Sequence, residues 1–142
     1  MLNEYKHLLV PLDFTPKHDA VLSSACEMAK ANKASVTLIH VIEPIEPFDD
    51  SAIDSFTEQL VRDAEKQLTD RAHGLRDEGV NVRIENRIGK RAKEIVTFAA
   101  DEAVDMIMLN SHTITPDSSD RSISLSYQVA LLAPCAVLLL KC

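Results

Sequence analysis

The sequence predicts a doubly wound α/β domain: a five-stranded parallel sheet of order 3-2-1-4-5 with helices on both faces. Three observations carry that expectation. Short apolar runs alternate with amphipathic stretches along the whole chain. No internal repeat or linker interrupts the alternation. At 142 residues there is room for a single domain, 1–142, with one sizeable core. Strand, helix, strand in succession implies crossovers, and right-handed crossovers build a parallel sheet covered on both sides.

The elements follow in order. KHLLVPLDF, residues 6 to 14, is too short an apolar run for a helix and ends in Asp-Phe-Thr-Pro, so it reads as a buried strand. Thr15-Pro16 then opens a helix, since Thr is a favoured cap and Pro suits a first turn; Val21, Leu22, Ala25, Met28 and Ala29 recur at helical spacing. SVTLIHV, 35 to 41, is a second strand, followed by the proline-rich acidic loop EPIEPFDD. Ile53, Phe56, Leu60, Ala64, Leu68 and Leu75 trace one face of a long amphipathic helix that Gly79 ends. From Val80 to Ile88, apolar Val80, Val82 and Ile84 alternate with polar Asn81, Arg83 and Glu85, which predicts a half-exposed strand near a sheet edge. A helix over roughly Ala92 to Ala103 turns Ile95, Val96 and Ala99 inward. VDMIMLN, 104 to 110, is a buried strand, and a short helix around Ser124 to Leu132 leads to the last strand, CAVLLLK.

Ligands on such sheets bind beyond the carboxyl ends of the strands, where the strand order reverses. In this order the reversal lies between the first and fourth strands and sets Asp13 beside Asn110. The segment NSHTITPDSSDRSIS, 110 to 124, therefore opens where a phosphate loop belongs, yet it contains no glycine. Glycine lets backbone amides take positive φ and close around phosphate oxygens.

Composition excludes several function classes. A formal net charge of −7 argues against a nucleic-acid partner, which needs clustered Lys and Arg. Lys90, Arg91 and Lys93 read as the exposed first turn of a helix. No apolar segment approaches the ~20 residues that span a bilayer, and MLNEYKHLLVPLD has no signal-peptide core, so no membrane association and a cytoplasmic location are expected. Cys26, Cys135 and Cys142 lack metal-ligand spacing; Cys26 and Cys135 read as small core hydrophobes and Cys142 as a terminal thiol. His7, His18, His73 and His112 are scattered, and His40 reads as a half-buried, satisfied histidine, so no metal site is expected. SYQ at 126 to 128 and SSD at 118 to 120 lack a nucleophile elbow or a base. Ser118, Ser119 and Ser122 read as an ordinary polar loop.

Fold alone does not choose a family. A receiver domain would need an acidic pair after the first strand and a phosphorylatable Asp after the third; a lone Asp13 and Arg87-Ile88-Gly89 stand there instead. Pro16, Lys17 and His18 replace a flavodoxin's phosphate loop. Glycines at 74, 79 and 89 build neither a Walker loop nor a dinucleotide fingerprint. From HLLVPLDFT through SVTLIHV and VDMIMLNSHT to APCAVLLLK, the chain resembles the universal stress proteins. In their nucleotide-binding branch the fourth strand leads into G-x-x-G, nine residues, then G-S/T. Counted back from Ala133-Pro134-Cys135, the glycine positions fall on Asn110, Thr113 and Ile123.

The resemblance implies a contact set of Pro11, Asp13, Val41, Asn110, Ser111, His112 and Ser124. In it Asp13 accepts hydrogen bonds from ribose, the Val41 backbone meets adenine, and no residue is catalytic or metal-ligating. Asn110 could still take a left-handed conformation, but Thr113 and branched Ile123 resist it. Asp117 and Asp120 oppose an anion against the single Arg121. The expectation is a non-catalytic stress-response or regulatory protein without tight ATP binding and with no certain cofactor. It would act as a homodimer through the last strand, an apolar sheet edge, and through protein contacts. The alternative is an adenine-nucleotide sensor holding ATP, AMP or a cyclic nucleotide between strands one and four.

Overall fold

The computed structural model describes residues 5–16, 18–44, 51–111 and 124–141. Five strands, β1 (His7–Pro11), β2 (Ser35–Ile42), β3 (Asn81–Ile88), β4 (Met106–Ser111) and β5 (Ala136–Lys141), alternate with four helices, α1 (His18–Asn32), α2 (Ser51–Asp77), α3 (Arg91–Asp101) and α4 (Leu125–Leu132). All strand pairs are parallel, and the order is β3-β2-β1-β4-β5. The predicted doubly wound sheet is the observed one.

Side chains alternate across each strand, so the central strands feed two separate cores. Leu8, Val10, Val36, Leu38, Met106 and Met108 point to one face, where they meet Val21, Ala25 and Ala29 of α1 and Leu68, Ala72 and Leu75 of α2. Leu9, Ile39, Val41, Ile107 and Leu109 point to the other, against Ile95, Phe98 and Ala99 of α3 and Val129 of α4. Strands buried on both faces must be apolar at every position, which explains why LLV, VTLI and MIML show no alternation. Cys26 and Cys135 are half-buried and pack against the two cores, one on each side; Cys142 lies outside the described residues.

Three details differ from expectation. The long helix does not bury its whole apolar face: Phe56 is 53% exposed and Leu60 37%. Twenty-seven helical residues reach about 40 Å, whereas an eight-residue strand such as β2 reaches about 26 Å, so the first turns of α2 overhang the sheet. The predicted inward placement of Ile53 falls outside the described side chains. In addition, Thr15 does not cap α1 with its side chain; its hydroxyl donates to Asp13 Oδ1 at 2.8 Å, and α1 starts at His18. Finally, α3 stops at Asp101 rather than Ala103, whose φ of 51° ends the helix without a glycine.

Candidate functional site

Proline opens the site. Leu12 N donates to Ile39 O at 2.9 Å, toward β2. Successive amides of a strand face opposite neighbours, so residue 11 is the one that would donate toward β4, and proline has no N–H. Pairing of β1 with β4 accordingly covers only Leu8↔Met106 and Leu9↔Ile107, whereas β1 follows β2 as far as Pro11↔Ile39. The two strands part at their carboxyl ends around a cavity of about 320 Å³.

Residues from six elements line it. Pro11, Leu12, Asp13 and Thr15 come from the end of β1, and His18 from the first turn of α1. Ile39, His40 and Val41 come from β2, Arg91 and Ile95 from α3, Leu109, Asn110 and Ser111 from β4, and Ser124, Leu125 and Ser126 from the start of α4. Pro11, Asp13, Val41, Asn110, Ser111 and Ser124 thus all meet in one crevice. His112 lies outside the described residues, as do Thr113, Asp117, Ser118, Ser119, Asp120, Arg121, Ser122 and Ile123.

Asp13 is the most organised of these groups. Its Oδ1 accepts from Thr15 N at 3.0 Å, from the Thr15 hydroxyl and from the His18 ring. Partial burial pushes the carboxyl up, but the Thr15 bonds and the His18 ring outweigh it and hold Asp13 below its usual range. Phe14 beside it takes a φ of 66°, uncommon for a residue with a side chain, and is held there by its ring. That ring packs on His40, centroids 4.4 Å apart, and under the Arg71 guanidinium at 5.1 Å.

His40 is half-buried, as its sequence position suggested, and its Nδ1–H donates to Leu12 O at 2.6 Å. Burial lowers its pKa below 6.5, against the opposing effect of that hydrogen bond, so the ring is neutral at pH 7. Asn110 corrects an expectation: it is not left-handed but an extended residue of β4, paired with Leu140. A strand residue hands its side chain, not its amide, to the crevice, and Asn110 Nδ2 lies 3.4 Å from His18 Nδ1. Ser124 caps α4, its Oγ accepting from Tyr127 N at 3.3 Å and sharing a hydrogen bond with the buried Ser126 at 3.1 Å.

Arg91 brings positive charge to the lining of the crevice, and Lys141 stands behind the lining residue Ser111. Arg91 opens α3, whose first amide is taken by Glu43 Oε1 at 3.2 Å. Lys141, at the end of β5, donates to Ser111 Oγ at 3.4 Å. Sequence reasoning missed His18, Arg91, Ser126 and Lys141. Among the described residues no group of three or more His, Cys, Asp or Glu could hold a metal ion, and no helix is long and apolar enough to cross a membrane.

The model of the universal stress protein family matches residues 4–141. The chain belongs to the universal stress protein family. It is similar to the universal stress protein of Methanothermobacter thermautotrophicus, 27% identical over 150 aligned residues that span 99% of each chain. Among solved structures it superposes on the universal stress protein UspA from Lactobacillus plantarum with a TM-score of 0.78, at 21% identity over 96% of this chain and 97% of that one. A universal stress protein from Archaeoglobus fulgidus in complex with dAMP gives a TM-score of 0.71, at 20% identity over 95% and 97%. Another in complex with cAMP gives 0.68, at 16% identity over 96% and 97%. These structural likenesses carry the fold; the ligands belong to those proteins.

Proposed function

We propose that this universal stress protein is a non-catalytic regulator whose crevice takes an adenine mononucleotide, AMP or a cyclic form, in preference to ATP. The observation that carries this reading is the built cavity at the strand reversal, where Asp13, Val41, Ser111 and Ser124 converge. At about 320 Å³ it sits at the small end of ligand pockets, which run from ~300 to ~1,000 Å³. Related proteins with bound dAMP and cAMP support the same ligand class. The chain also lacks the glycines that would let a loop close on a triphosphate, and Asn110 is committed to β4. For a single phosphate the crevice offers hydroxyls at Ser111, Ser124 and Ser126, with the Lys141 ammonium behind Ser111.

Isothermal titration of ATP, AMP and cyclic AMP with magnesium tests the reading. Micromolar AMP or cyclic AMP with weaker ATP is the expected result; heat from none of the three would refute it.

A second reading concerns assembly, and α4 favours it. Tyr127, Leu131 and Leu132 are exposed on α4, Leu131 by 73%, and the adjoining edge strand β5 keeps Val137 to Leu140 only half covered. We propose that a second copy covers this face, forming a homodimer through β5. Light scattering on the purified chain should give twice the chain mass. The double variant Leu131→Glu, Leu132→Glu should give the monomer mass with an unchanged far-ultraviolet spectrum.

A further inference from the structure

The crevice contains a buried histidine to which the family reading assigned no task. His18 is 8% exposed, and both of its ring nitrogens face polar groups of the crevice wall. Asn110 Nδ2 approaches Nδ1 at 3.4 Å. Nε2 meets Asp13 at two atoms: the ring pairs with Oδ1, and the Asp13 backbone N–H points at the same ring nitrogen at 3.1 Å. The imidazole therefore spans the gap where β1 and β4 cease to pair, tying the carboxylate on one lip to the amide on the other.

The consequence falls on Asp13. Every bond given to its carboxylate among the described residues, from Thr15 N, the Thr15 hydroxyl and His18, goes to Oδ1. The side chain is nevertheless 62% exposed. One oxygen is anchored, and the other, Oδ2, makes no bond among the described residues and is left to accept from a ligand. An exposed aspartate without such anchors rotates about χ1 and χ2 and loses that freedom only on binding, at a cost in affinity.

We propose that His18 is a positioning residue that locks the Asp13 carboxylate so that one oxygen meets a ligand hydroxyl, making the crevice selective for a ribose that carries its hydroxyl groups. This rests on the mononucleotide reading above. His18 does not touch the ligand, because both its nitrogens are engaged; it acts through Asp13. Since the imidazole also reaches Asn110, the alignment of the carboxylate is keyed to β4 and hence to the far wall of the crevice.

The experiment is calorimetric titration of AMP, 2′-deoxy-AMP and 3′-deoxy-AMP into the wild-type protein and into the variants His18→Ala and His18→Gln. A hydrogen bond to a charged acceptor accounts for about a tenfold preference, so wild type should bind AMP about ten times more tightly than the deoxy form lacking the recognised hydroxyl. His18→Ala should weaken AMP by about that factor and leave that deoxy form within about twofold, so that discrimination disappears. His18→Gln, whose amide can still donate to Asp13, should restore most of it. Equal weakening of AMP and both deoxy forms would mean that His18 only packs the wall, and it would overturn the proposal while the mononucleotide reading stood. Unchanged discrimination in His18→Ala would do the same. Failure of wild type to bind any of the three would overturn both.

Discussion

His40 and Asp13 give the crevice two separate responses to acid. His40 is kept neutral by burial, with Arg91 adding to the effect and the Leu12 carbonyl and Asp13 opposing it. Its folded pKa lies below 6.5, so between that value and 6.5 the unfolded chain binds more protons than the folded one. Stability attributable to His40 is complete above about pH 6.5 and is lost as the pH falls through the folded pKa. Urea unfolding of wild type and His40→Gln at pH 7.5 and 5 should show a smaller loss on acidification in the variant, which keeps an amide donor for Leu12 but cannot titrate. Asp13 responds lower: its depressed pKa gives stability present above 3.8 and lost as pH falls through the folded value. Replacing Thr15 with Ala removes one of the three donors on Oδ1, and carbon-detected NMR titration should show the Asp13 pKa moving up. That the ends of β1 and β2 and the start of α4 border the crevice was legible, because the end of a strand and the cap of a helix are local features. His18 was not, because its meaning comes from Asn110, brought to it by the β1–β4 neighbourhood rather than by spacing along the chain.

The helices separate what periodicity reveals from what it leaves out. In α3, Ile95 and Ala99 are buried as their spacing requires, but the largest buried side chain is Phe98, over which the Arg83 and Arg87 guanidiniums sit at 5.4 and 5.0 Å. Phe98→Ala should cost about 3–5 kcal/mol in urea denaturation. In α2 the same apolar pattern runs on past the sheet, and Phe56→Ser should change stability by only about 0.5 kcal/mol. Nothing in the helical period distinguishes the two cases; the length of the sheet beneath does. Ser124 at the head of α4 is a further test of local chemistry, because its hydroxyl accepts from the Tyr127 amide, one of the first-turn amides that have no partner within the helix. Ser124→Ala should lose about 1 kcal/mol.

Taken whole, the molecule has its crevice and its half-covered apolar edge on neighbouring strands, since β4 lines the one and pairs with β5 at the other. Saturating AMP, at about a hundredfold over its dissociation constant, should raise the melting temperature by about 5–10 °C; a scan without that shift would count against the mononucleotide reading. The strand order was legible because alternation and handedness leave few topologies open, whereas the early end of the β1–β4 pairing at Leu9↔Ile107 is a matter of register that the sequence pattern does not carry. The two margins of the sheet are also unlike. β5 offers leucines, while β3 carries Arg83, Glu85 and Arg87 linked in ion pairs with one another and with Glu94 and Glu102. Charged side chains along an open strand discourage another strand from adding there. In the proposed dimer each copy covers its apolar β5 margin with the other, and what remains outside is β3 at both ends. On that proposal growth stops at two, so raising the concentration should fill dimers without lengthening them into a ribbon.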